Sequence, residues 1–185
     1  MSYGQQERCD PGNDRRCVVL GIGNSLMSDD GVGGHLIKRL SETLTPSFCV
    51  ANRVELIDGG TLGYLLIDLV AASDLLIVLD AAKLGAAPGA YRVVEGADVY
   101  DFLSDRRNRS VHEVGLIDLI QMLDLSGSAP RELVVIAIQP ESVDWGANLS
   151  ASVQEIVPMV AAEVERRLDA WLADHAGELF DREAC

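Results

Sequence analysis

Gly21-Ile22-Gly23-Asn24-Ser25-Leu26-Met27-Ser28-Asp29-Asp30-Gly31-Val32-Gly33 is the stretch on which the fold turns. The apolar run Cys17-Val18-Val19-Leu20 precedes it, and Val32, Leu36, Ile37 and Leu40 recur at helical spacing after it. That order predicts a buried strand, a tight glycine turn and a helix over Gly31 to Leu44. The unit then repeats. Val54 to Ile57 reads as a second strand stopped by Asp58-Gly59-Gly60, Leu62 to Ala71 as a helix, and Leu75 to Leu79 as a third strand ending at Asp80. Strands this short and continuously apolar suit a parallel sheet covered on both faces.

Beyond Asp80, Lys83 to Gly89 reads as a loop, Tyr91 to Val94 as a short edge strand and Val99 to Leu103 as a helical turn. Glu113 to Leu123 carries an apolar stripe of Leu116, Ile117, Ile120 and Leu123, and Leu133 to Ile138 is a last, β-branched strand. Gln139 to Ser150 is a long loop in which Trp145 faces solvent or a partner. A C-terminal helix is predicted from Ser152 to His175, with Ser152 and Glu155 at capping-box spacing and Pro158 as a kink or a later start. The expected architecture is a single three-layer α/β domain over residues 17–176, with a mostly parallel sheet of about five strands and helices on both faces. A polar, flexible leader (1–16) and a short tail (177–185) flank it.

The 185 residues carry 29 acidic and 15 basic side chains, a formal charge of −14. That balance repels phosphate backbones and anionic membranes, and the short arginine runs (Arg15-Arg16, Arg106-Arg107, Arg166-Arg167) have no aromatic platform beside them. Nucleic acid is excluded as a partner. The longest aliphatic run, Leu75 to Leu79, is far below the roughly 18 apolar residues of a membrane span. The four cysteines show no Cys-x-x-Cys pair, and Cys17 and Cys49 sit beside valines in strand-like stretches as small buried hydrophobes. Together with the absence of an apolar leader, these features lead us to expect a cytoplasmic chain with reduced thiols and no membrane insertion.

Gly21 and Gly23 match the start of a dinucleotide-binding G-x-G-x-x-G, but Leu26 stands at the third glycine position. Asp29 and Asp30 fall where a pyrophosphate would need a helix N-terminus free of anions. A Rossmann-like nucleotide enzyme is therefore the weaker reading. The acids are more telling, because sites in open α/β sheets form outside the carboxyl ends of the strands. Asp29-Asp30, Asp58 and Asp80 each follow such an end. Singly, each also reads as a cap or turn former; together they require a cation or a basic group. Of the three histidines, His35 lies in a helix and His175 in a polar tail, whereas His112 precedes a helix in the loop context Arg109-Ser110-Val111-His112-Glu113. Two carboxylates and an imidazole make a three-ligand set for a divalent transition metal. No Gly-x-Ser-x-Gly elbow or exposed cysteine–histidine pair competes.

These segments resemble the nickel–iron hydrogenase maturation endopeptidases. The family pattern G-x-G-N-x-L-x-x-D-D/E-x-x-G matches residues 21–33, its D-G-G-T matches Asp58-Gly59-Gly60-Thr61, its aliphatic strand ending in D-A matches Leu75 to Ala81, and its S-x-H matches Ser110-Val111-His112. The resemblance implies an endopeptidase that removes a C-terminal extension from the hydrogenase large-subunit precursor after nickel insertion. It places metal contact and catalysis on Asp30, Asp80 and His112, and substrate recognition on Asp58, Gly59, Gly60 and Thr61. The nickel is supplied by the substrate. Gln139-Pro140-Glu141 with Asp144-Trp145-Gly146 resembles the branch serving uptake hydrogenases. A nickel-binding maturation factor without peptidase activity is the alternative from another class.

Overall fold

The computed structural model describes residues 15–105 and 113–182, so the leader's first fourteen residues, His112 and the last three residues lie outside it. Five strands form one sheet in the order β2-β1-β3-β5-β4, with β1 Cys17–Ile22, β2 Val54–Gly60, β3 Leu75–Ala81, β4 Tyr91–Glu95 and β5 Glu132–Ile138. Four strands are parallel, and β4 joins β5 as an antiparallel edge. The expected three-layer α/β fold is borne out.

Alternation along each strand builds the layers. Cys17 and Val19, Ile77 and Leu79, and Ile136 and Ile138 pack on one face with helices α1 (Val32–Thr43) and α6 (Ala151–Arg182). Val18 and Leu20, Leu76 and Val78, and Val135 and Ala137 pack on the other with α4 (Asp98–Ser104) and α5 (Glu113–Ser126). Because every central strand is buried on both sides, its sequence is apolar at every step and shows no polar alternation.

The glycines of the first turn are a packing device. A Cβ at Gly33 would lie 2.3 Å from the carbonyl oxygen of Ile22 and 2.6 Å from that of Leu79, and one at Gly21 would lie 2.5 Å from that of Gly33. The start of α1 thus rests directly on the backbone of β1 and β3. Gly23, at φ +137°, leaves no room for a side chain, since its Cβ would sit 1.8 Å from the carbonyl oxygen of Asp30.

Local departures have local causes. Residues 28–31 form a separate 3-10 turn, so α1 begins at Val32 rather than Gly31. The helix expected over Leu62 to Ala71 is a 3-10 turn (Gly63–Leu66) followed by a short α3 (Ile67–Val70), bounded by positive φ at Gly63 and Ala72. Cys49 lies in a short helix, α2 (Pro46–Ala51), rather than a strand; Thr45 caps it by accepting the Phe48 N–H, and Pro46 occupies the first helical position, where a missing N–H costs nothing. The C-terminal helix contains Pro158 and runs on to Arg182. Its cap is Ser150, whose Oγ accepts the Val153 N–H, rather than Ser152. Arg16 fastens the entry to β1: its guanidinium pairs with Glu55 and donates to the carbonyls of Leu69 and Ala71.

Candidate active site

The C-terminal rim of the sheet gathers the acids, because β2, β1 and β3 are adjacent and parallel. Asp58 lies near the end of β2, Asp29 and Asp30 in the turn after β1, and Asp80 near the end of β3. The 3-10 turn packs against β3. Asp30 and Asp80 are 3% and 4% exposed, and Asp30 Oδ2 accepts the Asn24 N–H at 2.9 Å. Leu76 and Val78 belong to the α5 side of the core, so alternation along β3 turns Asp80 toward the same side. His112 immediately precedes α5 in the sequence but lies outside the described residues.

Asp58 is exposed, accepts the Gly60 N–H at 3.2 Å and lies over Gly34, where a Cβ would come within 3.2 Å of its Oδ2. The turn-forming option for this aspartate is therefore realised. Gly60 adopts φ +51°, and its carbonyl accepts the Gly23 N–H, tying the Asp58-Gly59-Gly60-Thr61 segment to the first glycine turn. Thr61 and the following Leu62 are exposed.

Asp29 and Asp30, adjacent in the chain, do different work. Asp29 is fully buried and receives the backbone N–H groups of Glu141, Ser142 and Ser150 and the hydroxyl of Ser150. It therefore locks the loop after β5 and the start of α6 to the turn that carries Asp30. Sequence reasoning missed this role, as it missed Asn24 and Ser150; Asn24 at least stands inside the glycine segment. Burial pushes the Asp29 carboxyl up, but the hydrogen bonds from Ser150, Ser142 and Glu141 outweigh it and hold the group below its ordinary value.

A depressed carboxyl stabilises the fold above its unfolded value, near ~3.9, and that contribution is lost as pH falls through the lower folded value. Asp29→Asn turns an amide NH2 toward donors and is expected to cost about 2–3 kcal/mol at pH 7. Urea unfolding of both proteins from neutral to acid pH should show this gap closing below about pH 4. A gap that does not change with pH would assign the cost to shape alone.

Cys17 is buried, and burial first, then Glu132, pushes its thiol up to about 12, which makes it an inert core residue. Among the described residues no three His, Cys, Asp or Glu side chains form a metal-holding group, and no helix is long and apolar enough to cross a membrane.

The fold recurs in solved peptidases. The hydrogenase maturating endopeptidase HybD from Escherichia coli superposes with a TM-score of 0.75 at 28% identity, over 84% of this chain and 93% of that one. The [NiFe] hydrogenase maturation protease HybD from Thermococcus kodakarensis gives 0.69 at 25% identity, over 83% and 99%. The protein is thus an α/β endopeptidase, a hydrolase. Residues 35–167 match the family model described as hydrogenase maturation protease. The hydrogenase expression/formation protein HupD of Rhizobium leguminosarum bv. viciae is 35% identical over 157 residues, 84% of this chain and 75% of that protein. The hydrogenase 2 maturation protease of Escherichia coli K12 is 31% identical over 170 residues, 91% of this chain and 98% of that protein. The chain belongs to the hydrogenase maturation protease family.

Proposed function

We propose that this endopeptidase removes the C-terminal extension of a nickel–iron hydrogenase large-subunit precursor after nickel insertion, recognising the nickel that the precursor carries. The supporting observation is the burial of two carboxylates, Asp30 and Asp80, from separate segments at neighbouring strand ends of one rim. Two carboxylates buried at one rim make it electronegative, which suits an incoming positive centre. His112 is the third member, and Asp58, Gly59, Gly60 and Thr61 form the loop that meets the substrate.

The reaction adds water to the scissile carbonyl, breaks the C–N bond and delivers a proton to the departing amine. Asp30, Asp80 and His112 would hold the nickel that the substrate carries, and that ion would supply polarisation of the scissile carbonyl or of the attacking water. An aspartate of the pair is suited to take the water's proton and pass it to the amine. Two carboxylates and an imidazole without a thiolate form a modest nickel site, fitted to transient sharing rather than permanent binding.

Asp30→Ala, Asp80→Ala and His112→Ala are each expected to lower processing of nickel-loaded precursor at least about a hundredfold with the fold retained. Mass spectrometry of the precursor and circular dichroism of the variants measure the two quantities. His35→Ala and His175→Ala should process normally. Loss of activity together with gross unfolding would return the three residues to a structural role.

A further inference from the structure

Trp145 is 82% exposed, yet the loop that carries it is firmly held. Ser142 Oγ donates to Asp144 Oδ2 at 2.9 Å and accepts the Asp144 N–H at 3.2 Å. On the far side, Gly146 N donates to the Leu26 carbonyl at 2.9 Å, and Ser28 N donates to the Gly146 carbonyl at 2.6 Å. These bonds form a parallel bridge between Met27 and Gly146. A Cβ at Gly146 would lie 2.7 Å from Ser28 Oγ, a measure of how closely the two segments approach. The bridge joins the two chain segments at Met27 and Gly146, next to Leu26 on one segment and Trp145 on the other. Leu26 is itself 56% exposed. Isolated exposed apolar residues are ordinary, but an exposed indole and an exposed leucine on two segments braced to each other offer a ready-made anchor. Holding them in place beforehand removes the ordering cost of binding.

The position of the pair identifies its occupant. Leu26 precedes Asp30 by four residues, and the Trp145 loop is bound to Asp29 through Glu141 and Ser142. A macromolecule that presents a metal to Asp30 therefore comes close to the two segments that carry this pair. We infer that Leu26 and Trp145 form the apolar docking platform for the precursor, receiving an apolar surface beside its metal centre and setting substrate affinity without taking part in the chemistry. The inference rests on the proposed nickel-guided processing.

Trp145→Ala should raise the KM for nickel-loaded precursor about thirtyfold while kcat stays within about twofold, with Trp145→Phe in between. Leu26→Ala should act in the same direction, and neither variant should change Tm. The chain has two tryptophans, and Trp171 is buried in α6. Enzyme labelled with 5-fluorotryptophan therefore gives one surface and one core fluorine resonance, and saturating unlabelled precursor should shift the first alone. An unchanged KM in Trp145→Ala, or a Trp145 resonance unmoved while wild-type enzyme cleaves the precursor, would overturn the platform and leave the processing reading intact. A shifted Trp145 resonance without cleavage would uphold the platform and remove the processing reading instead.

Discussion

Enzyme stripped with chelator and desalted is expected to cleave nickel-loaded precursor at its full rate and to leave nickel-free precursor uncut. The contrast should reach about a thousandfold or more, because a metal that polarises a carbonyl or a water supplies several kcal/mol to the transition state and ~4 kcal/mol corresponds to that factor. A protease with a resident metal predicts the reverse: chelation disables it, and both precursors are cut once its own ion returns. The proposed ligands Asp30, Asp80 and His112 leave coordination positions open, so they can complete a site on an ion that arrives in the precursor. The strong negative charge of the chain does not blur the comparison, since its long-range field is screened at physiological salt and acts equally on both precursors. Parallel mass spectrometry of the two digests measures the ratio. Equal cleavage of both would end the metal-guided mechanism while leaving the family assignment in place.

Gly23→Ala and Gly33→Ala should each destabilise the fold by more than about 3 kcal/mol, beyond the usual range for an added methyl group. The obstructing atoms are backbone, not the ends of flexible side chains. At Gly33 a methyl would strike the carbonyls of both β1 and β3, and at Gly23 it would overlap the carbonyl of Asp30. Relief requires α1 or the 3-10 turn to lift off the sheet. For a chain of this size the expected loss is about 6–12 °C in Tm. Gly127→Ala is the control: its φ is +69° and nothing stands within 4 Å of the added Cβ, so it should cost only about 1–2 kcal/mol. Gly23→Ala should also lose activity before it unfolds, because the turn that shifts carries Asp30. Thermal melts and processing assays on the same preparations separate the two losses.

The layer architecture and the acidic rim were legible in the sequence because both follow from local rules. A strand buried on both faces must be apolar at every step, and sites in a parallel sheet lie beyond its carboxyl ends. Hence β1, β3 and β5 could be found from composition alone, and Asp30, Asp58 and Asp80 could be assigned to one rim before any coordinates existed. His112 was singled out from its loop context, the family pattern fell on the same residue, and it lies outside the described residues. Helices governed by short-range punctuation were less legible: α2 begins at a Thr-Pro cap that hydrophobic periodicity does not register, and positive φ at Gly63 and Ala72 bounds the helix expected after β2.

Only tertiary structure could divide the work between Asp29 and Asp30. Their identities are the same and they are neighbours, yet successive residues of a 3-10 turn point about 120° apart. One is thereby directed to Glu141, Ser142 and Ser150, more than a hundred positions away, and the other stays with Asn24 at the rim. The same distance in sequence hid the bridge between Met27 and Gly146. Local patterns report which face of an element is buried, and they carry no record of which remote segment folds back to meet it. The chain's own sequence thus determined the layers, the turn and the set of candidate acids. Chain crossings decided which acid braces the structure, which one is presented at the rim, and which distant loop is bridged to the first turn.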